Sequence, residues 1–460
     1  MNYKEFLEKK RQLNNNFGFK PIYIPDYLFD FQKYLVEWSL LRGRSAIFAD
    51  CGLGKTPMQL VWADNVVRQT NKPVLILTPL SVSIQTELEA EKFNIEAKKS
   101  KDGKFKTKIV ITNYERLHYF NPDDFSGIVC DESSILKNFK GHIKNAITIF
   151  MRKIPYRLLA TATAAPNDYI ELGTSSETLG YLGYMDMLGK FFKNDQNNCA
   201  VKSNRGRFVG QVKWRLKGHA EEQFWRWITS WSRVIRKPSD LGFEDKNFNL
   251  PELNIKNNIL KIAGFSVKGF FPEFSIQAKG LKEERQETRA TLKNRCEKVA
   301  EIESNIKDYS TIWCNLNDEG NLLEKIIPDS VQVSGRDSDD SKEEKLIAFS
   351  KGQIKKIIIK PKIGAFGLNW QHCNHITTFP THSYEQEYQL IRRCWRFGQK
   401  RKVFVDRVFT EGFAKVVTNL ERKQEQANIM FNNLIKEMNN SLSLDRDKIF
   451  TKKVELPKWL

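Results

Sequence analysis

The stretch best suited to chemistry is Ala49-Asp50-Cys51-Gly52-Leu53-Gly54-Lys55-Thr56. Glycines at 52 and 54 let a backbone turn its N–H groups inward around phosphate oxygens, and a helix starting beside them adds its partial positive charge. Lys55 can then reach the β- and γ-phosphates of a nucleotide, and the Thr56 hydroxyl is a ligand for Mg²⁺. Ala49 stands where the usual loop begins with glycine. The flanks agree: residues 45–48 form a short apolar run that predicts a buried strand, and 57–67 predicts a helix.

A second constellation lies at Asp131-Glu132, at the end of the apolar run 126–131. At the C-terminal edge of a parallel sheet, where ligands bind, Asp131 would hold the Mg²⁺ shell and Glu132 would orient and deprotonate a water. Gln32 lies on a predicted amphipathic helix over 27–40, and its amide can take both edges of adenine. Farther on, Arg393 and Arg396 are three apart on a predicted helix and share its face. Two guanidinium groups so placed can meet the charge that develops on a γ-phosphate. The loop 362–370, with Gly364 and Gly367, can bring backbone close to a ligand.

The elements that must position these residues alternate strand and helix. Strands read at 72–78, 108–114, 126–131 and 156–160, then at 311–314, 331–333, 354–360, 375–379 and 403–409, with a helix over 341–351. Between the two series, residues 202–217 carry Lys202, Arg205, Arg207, Lys213, Arg215 and Lys217 interleaved with Phe208 and Trp214. That composition suits a β-hairpin on a nucleic-acid backbone or a plain solvated basic hairpin. Phe224, Ile228 and Trp231 recur at helical spacing as core. Residues 280–307 read as one long charged helix with little apolar content, either a projection or a lever. A terminal helix is expected over 414–440.

Composition narrows the classes further. At 460 residues, with 40% hydrophobic and 28% charged content, two domains with insertions are expected. No apolar run approaches the ~20 residues of a membrane span, and the first ten residues lack a signal-peptide apolar region. The seven cysteines are scattered without a Cys-x-x-Cys pair, as expected of reduced thiols rather than a disulfide framework or zinc module. His372-Cys373-Asn374-His375 has no familiar metal spacing, and Glu343-Glu344-Lys345 near Pro328-Asp329 belongs to an amphipathic helix, not a nuclease. A net charge of +19 favours a polyanionic partner, although Lys-rich composition alone also raises it.

In order, Gln32, the 49–56 loop, Thr78-Pro79, Asp131-Glu132 and Thr161-Ala162-Thr163 resemble the first-lobe motifs of superfamily-two helicases. Gly367-Leu368-Asn369, followed about twenty residues later by Gln389-x-x-x-Arg393-x-x-Arg396-x-Gly398-Gln399, resembles the Swi/Snf-like branch. The acidic motif reads Asp-Glu-Ser-Ser, Lys360 replaces a common Ser or Thr, and Trp395 a frequent His. The resemblance spans roughly residues 25–410. It implies two tandem RecA-like lobes with parallel sheets, ATP and Mg²⁺ in the cleft between them, and inserted hairpin and helical protrusions. Lobe one would run 25–236 after an extension 1–24, with a basic insertion at about 175–232. A crossing would begin near 233, and lobe two would run 237–412 with a helical insertion at about 262–307, before a C-terminal helix and tail at 413–460. Gln32, Gly52, Gly54, Lys55, Thr56, Gly367 and Gln399 would contact nucleotide. Lys55, Asp131, Glu132, Arg393 and Arg396 would be catalytic, with Thr56 and Asp131 at the metal. Thr78, Asn113, Asn369, Arg205, Arg207 and Lys213 would contact DNA. The expected activity is an ATP-dependent DNA translocase of duplex or branched DNA, monomeric, in the cytoplasm of a bacterium or phage-infected host. A strand-separating helicase and a motor subunit of a larger nuclease or defence assembly are the rival readings.

Overall fold

A computed structural model describes residues 17–80, 82–194, 214–261, 281–364 and 369–449. The first half forms β1 (Arg44–Ala49), β2 (Val74–Thr78), β3 (Ala97–Lys99), β4 (Ile109–Asn113), β5 (Gly127–Asp131), β6 (Tyr156–Thr161), β7 (Phe192–Asn194), β8 (Trp214–Leu216) and β9 (Ser232–Ile235). Seven of these make one sheet in the order β3-β4-β2-β5-β6-β1-β9, and every pairing in it is parallel. A parallel sheet is covered on both faces, which is why Val74–Thr78 and Gly127–Asp131 are buried at every position. Alternate residues feed opposite cores: Phe48, Leu75, Ile128 and Leu159 join Phe224 and Trp231, whereas Ile47, Ile76, Val129 and Leu158 join Leu35 and Trp62.

The second half adds β10 (Leu253–Leu260), β11 (Ser310–Trp313), β12 (Ser330–Val333), β13 (Lys356–Ile359), β14 (His375–Thr378) and β15 (Val403–Thr410). They form a second parallel sheet in the order β10-β15-β14-β11-β13-β12. The chain is therefore two tandem RecA-like lobes, each a parallel sheet between helices.

Two elements differ from the expectation. Arg233 was read as the start of the crossing segment, yet Ser232–Ile235 pairs with β1 as the edge strand of the first sheet. Its run of four residues is too short for periodicity to separate it from a linker. Residues 280–307 form two helices, Leu281–Ala290 and Leu292–Ser304, rather than one long projection. The second helix buries Arg295, Cys296, Val299 and Glu303, with Cys296 and Val299 in a core shared with Ile312 and Ile358. Its charges are hidden in pairs: Arg295 lies 2.8 Å from Glu319, and Glu303 accepts from Ser310 and Thr377 at 2.6 and 2.7 Å. Charge content alone does not reveal such pairing.

Strands β7 and β8 pair antiparallel, Phe192 opposite Leu216. The expected hairpin's basic residues Arg205, Arg207 and Lys213 lie outside the described residues. The C-terminal helix, Ala414–Ile449, runs from one lobe to the other. Leu420 and Ala427 pack with Tyr384 of the second lobe, and Met430, Phe431 and Leu434 enter the first-lobe core that holds Phe224 and Trp225. Arg236 lies over the Phe431 ring at 4.9 Å. Leu434→Ala is expected to cost the first lobe about 2–5 kcal/mol, read by urea unfolding through tryptophan fluorescence. A loss below ~1 kcal/mol would mean that the helix only lies on the surface.

Candidate nucleotide site and inter-lobe cleft

The parallel strands of the first sheet deliver their C-terminal ends to one edge. Phe48 is in register with Thr161, Thr78 with Asn113, and Asp131 with Ala160. The loop after β1 thus lies beside the carboxylates after β5. Gly52 and Gly54 both adopt left-handed φ, +88° and +75°, and the helix Lys55–Thr70 starts directly behind them. The Lys55 ammonium curls into the loop, donating to the carbonyls of Ala49 (3.0 Å) and Asp50 (3.5 Å).

Gln32 is buried against this loop. Its Nε2 donates to the Leu53 carbonyl at 2.9 Å, and its Oε1 accepts from Phe29 N–H at 3.0 Å. A Cβ at position 54 would come within 2.2 Å of that Nε2, so glycine lets the helix carrying Gln32 approach. One hydrogen and one lone pair of the amide remain beyond those two bonds, the pair that adenine's N7 and N6 would use.

Asp131 accepts from Gln59 Nε2 at 2.6 Å. Burial, and then the neighbouring Glu132, push its carboxyl up to about 7, while Gln59 and Lys55 pull the other way. Glu132 holds a left-handed backbone at φ +50°, which a non-glycine residue adopts only when its surroundings impose it. Its Oε2 accepts from Thr161 Oγ1 at 3.2 Å, and Thr161 Oγ1 accepts from Thr163 N–H at 3.1 Å. The carboxyl of Glu89 is raised chiefly by burial. Among the described residues no group of three or more His, Cys, Asp or Glu could hold a metal. A divalent ion here would therefore rely on Thr56, Asp131 and the phosphates of its own nucleotide, an arrangement usual for Mg²⁺.

The second lobe closes the site with the helix Tyr384–Cys394 and the turn behind it. Arg393 lies on the helix, but Arg396 falls in the turn, so the two do not share a helical face as their spacing suggested, because the helix stops before Arg396. Arg392 makes an ion pair with Asp50 of the loop and donates to the Cys51 carbonyl at 3.3 Å, and Tyr388 donates its hydroxyl to Asp50. Burial alone would lower the Arg392 guanidinium, but Asp50 holds it above its ordinary value. Backbone N–H of Phe397 would lie 2.9 Å from any Cβ at position 52, so the second lobe touches the loop where only glycine fits. Arg393 is buried and donates to Gln389 Oε1 at 2.9 Å; its guanidinium is lowered by burial and steadied by Cys51 and Glu132. Arg396 is pushed down to about 10 by burial and then by Arg393. Two desolvated cations beside the loop form a site that favours an anion.

Gln399 is engaged within its own lobe. Its Nε2 donates to the carbonyls of Cys373 (2.9 Å) and Cys394 (3.3 Å), and its Oε1 accepts from Arg401 N–H, so the amide braces the second lobe internally. Gly367 lies outside the described residues.

Between the lobes, next to this site, runs a cleft of about 870 Å³ with Asn113, Glu132, Lys137, Lys362, Asn369 and Glu385 in its wall. Asn113 Oδ1 and Asn369 Oδ1 are buried without a hydrogen-bond partner among the described residues, and so is Thr78 Oγ1. Thr78 is fully enclosed beneath Pro79, which itself lines the cleft. Asn113 and Asn369 thus line the same cleft from opposite lobes, whereas Thr78 is enclosed.

The sequence alone does not single out Gln59, Tyr388 or Arg392. Gln59 falls one turn after Lys55 on the same helix, a spacing that in retrospect aims it at the strand end. The tie of Arg392 to Asp50 spans 342 positions, and no local pattern carries it.

No family model matches the chain, and no curated protein matches it. One similar solved structure is the Sulfolobus solfataricus SWI2/SNF2 ATPase core in complex with dsDNA, 17% identical, covering 91% of this chain and 98% of that chain at a TM-score of 0.41. At that distance the likeness adds nothing to the geometry above.

Removing one member of a buried pair strands the other's charge. Arg392→Met is expected to cost about 3–5 kcal/mol, and the double variant Asp50→Asn/Arg392→Met to regain most of it. Thermal unfolding of the three proteins checks this; strictly additive losses would show that the two side chains do not act as a pair.

Proposed function

We propose that the chain is an ATP-hydrolysing motor of the Swi/Snf-like branch of superfamily two, moving on duplex or branched DNA. The carrying observation is the convergence of a glycine-formed phosphate loop, two buried carboxylates, and the buried Arg393 and half-buried Arg396 from the opposite lobe. In this reading Gln32 takes adenine, and Gly52, Gly54 and Lys55 hold the phosphates. Thr56 and Asp131 hold Mg²⁺, which when bound draws charge from the phosphates. Glu132 orients and deprotonates the attacking water, and Arg393 and Arg396 meet the charge on the γ-phosphate.

Binding of a triphosphate across the seam would draw the lobes together, and its hydrolysis would release them. The cleft has basic residues on both sides, among them Lys99, Lys101, Arg116, Lys351 and Lys362, which suits a phosphate backbone. Asn113 and Asn369, whose buried oxygens have no partner among the described residues, are proposed contacts from opposite lobes, with Thr78 supporting the first and Arg205, Arg207 and Lys213 as further proposed contacts.

Steady-state ATP hydrolysis should be stimulated by duplex or forked DNA, and Glu132→Gln should reduce the stimulated rate by about 10²-fold or more. Stimulation by single strands only would favour a strand-separating helicase. No hydrolysis with duplex, fork, single strand or RNA would contradict a stand-alone motor and favour a subunit of a larger assembly.

A further inference from the structure

Lys137 and Glu385 form an ion pair that no catalytic assignment above uses, and it joins the lobes. Lys137 follows the carboxylate motif in the first lobe, and Glu385 lies in the first turn of the second-lobe helix that carries Arg392 and Arg393. Both line the inter-lobe cleft. The lysine side chain is 34% exposed there, whereas the carboxylate is only 6% exposed.

Glu385 has a second partner. Its Oε1 accepts from Thr163 Oγ1 at 3.4 Å. Thr163 N–H donates to Thr161 Oγ1 at 3.1 Å, and Thr161 Oγ1 donates to Glu132 Oε2 at 3.2 Å. One carboxylate is therefore linked to the proposed base along one path. Along another it shares a rigid helix with Arg393, eight residues away, or about 12 Å at the helical rise.

We propose that Glu385 is a positioning residue that holds Lys137 in the place of a nucleic-acid phosphate, so that the lobes are latched until a phosphate backbone enters the cleft. A carboxylate and a phosphodiester each offer one negative charge to the ammonium. The nucleic acid wins the exchange because it engages the other basic residues of the cleft at the same time. Freed from Lys137, Glu385 shifts with its helix, and that shift reaches Arg393 directly and Glu132 through the two threonines. The latch makes hydrolysis depend on nucleic acid. This inference rests on the motor reading, and it adds the residue that senses the track.

Glu385→Gln keeps the side chain's size and its acceptor for Thr163 but removes the charge that holds Lys137. Two measurements are made on the full-length protein: hydrolysis without nucleic acid, and affinity for a fluorescent 20-base-pair duplex by anisotropy without ATP. The expected result is that Glu385→Gln raises the DNA-free rate about fivefold or more and tightens duplex binding by a similar factor. Lys137→Gln, at a half-exposed position, should raise the DNA-free rate likewise yet weaken the duplex. The double variant should bind duplex as Lys137→Gln does.

A Glu385→Gln protein that melts as the parent does, with unchanged duplex affinity, would overturn the latch. So would a fall in both DNA-free and stimulated rates, which a merely structural pair gives. Duplex binding without any hydrolysis in the parent would defeat the motor reading alone, because the anisotropy series still decides the latch.

Discussion

The buried pair between Asp50 and Arg392 is the constraint on which the rest of the arrangement hangs. Two opposite charges taken out of water cost several kcal/mol each, and only close mutual contact offsets that cost. Here the contact exists only when the second-lobe helix lies on the phosphate loop. Gly52 permits the approach, since any side chain would strike Phe397. The seam is thereby held against the 49–56 loop. Arg393 on that helix and Arg396 in the turn behind it follow from it, in a place where burial disfavours their charge.

The first sheet contributes the complementary half. Its order places the ends of β1, β5 and β6 side by side, so the loop, the two carboxylates and Thr161 share one edge. Glu132 at that edge holds a left-handed backbone. The polar chain from Glu132 through Thr161 and Thr163 to Glu385 crosses the lobes without a break. The C-terminal helix limits movement of one lobe against the other, because its apolar face belongs partly to each lobe.

Much of this was legible in the sequence where the physics is local. The phosphate loop announced itself through Gly52, Gly54, Lys55 and Thr56, and the buried strands through apolar runs such as Val74–Thr78. Asp131-Glu132 could be placed because a strand precedes it. What escaped is non-local. Ser232–Ile235 is a strand because β1 has a free edge for it, and Leu253–Leu260 is a strand because it pairs with β15, 150 positions away. The buried Arg295 and Glu303 looked like solvent-facing charges because their partners, Glu319 and Thr377, come from other elements. Gln399 matched a nucleotide motif by position, yet its amide holds two carbonyls of its own lobe.

The central claim is that the site is shared, with the arginines of the second lobe reading the phosphate that distinguishes a triphosphate from a diphosphate. The most direct test is calorimetric binding of a non-hydrolysable ATP analogue and of ADP, with Mg²⁺, to the parent protein and to Arg396→Ala. The account predicts that the parent prefers the triphosphate by about tenfold or more, as expected when a charged hydrogen bond worth roughly 1.5–3 kcal/mol is added, and that Arg396→Ala loses most of that preference while ADP binding is little changed. Equal preference in the two proteins, or no nucleotide binding at all, would contradict it.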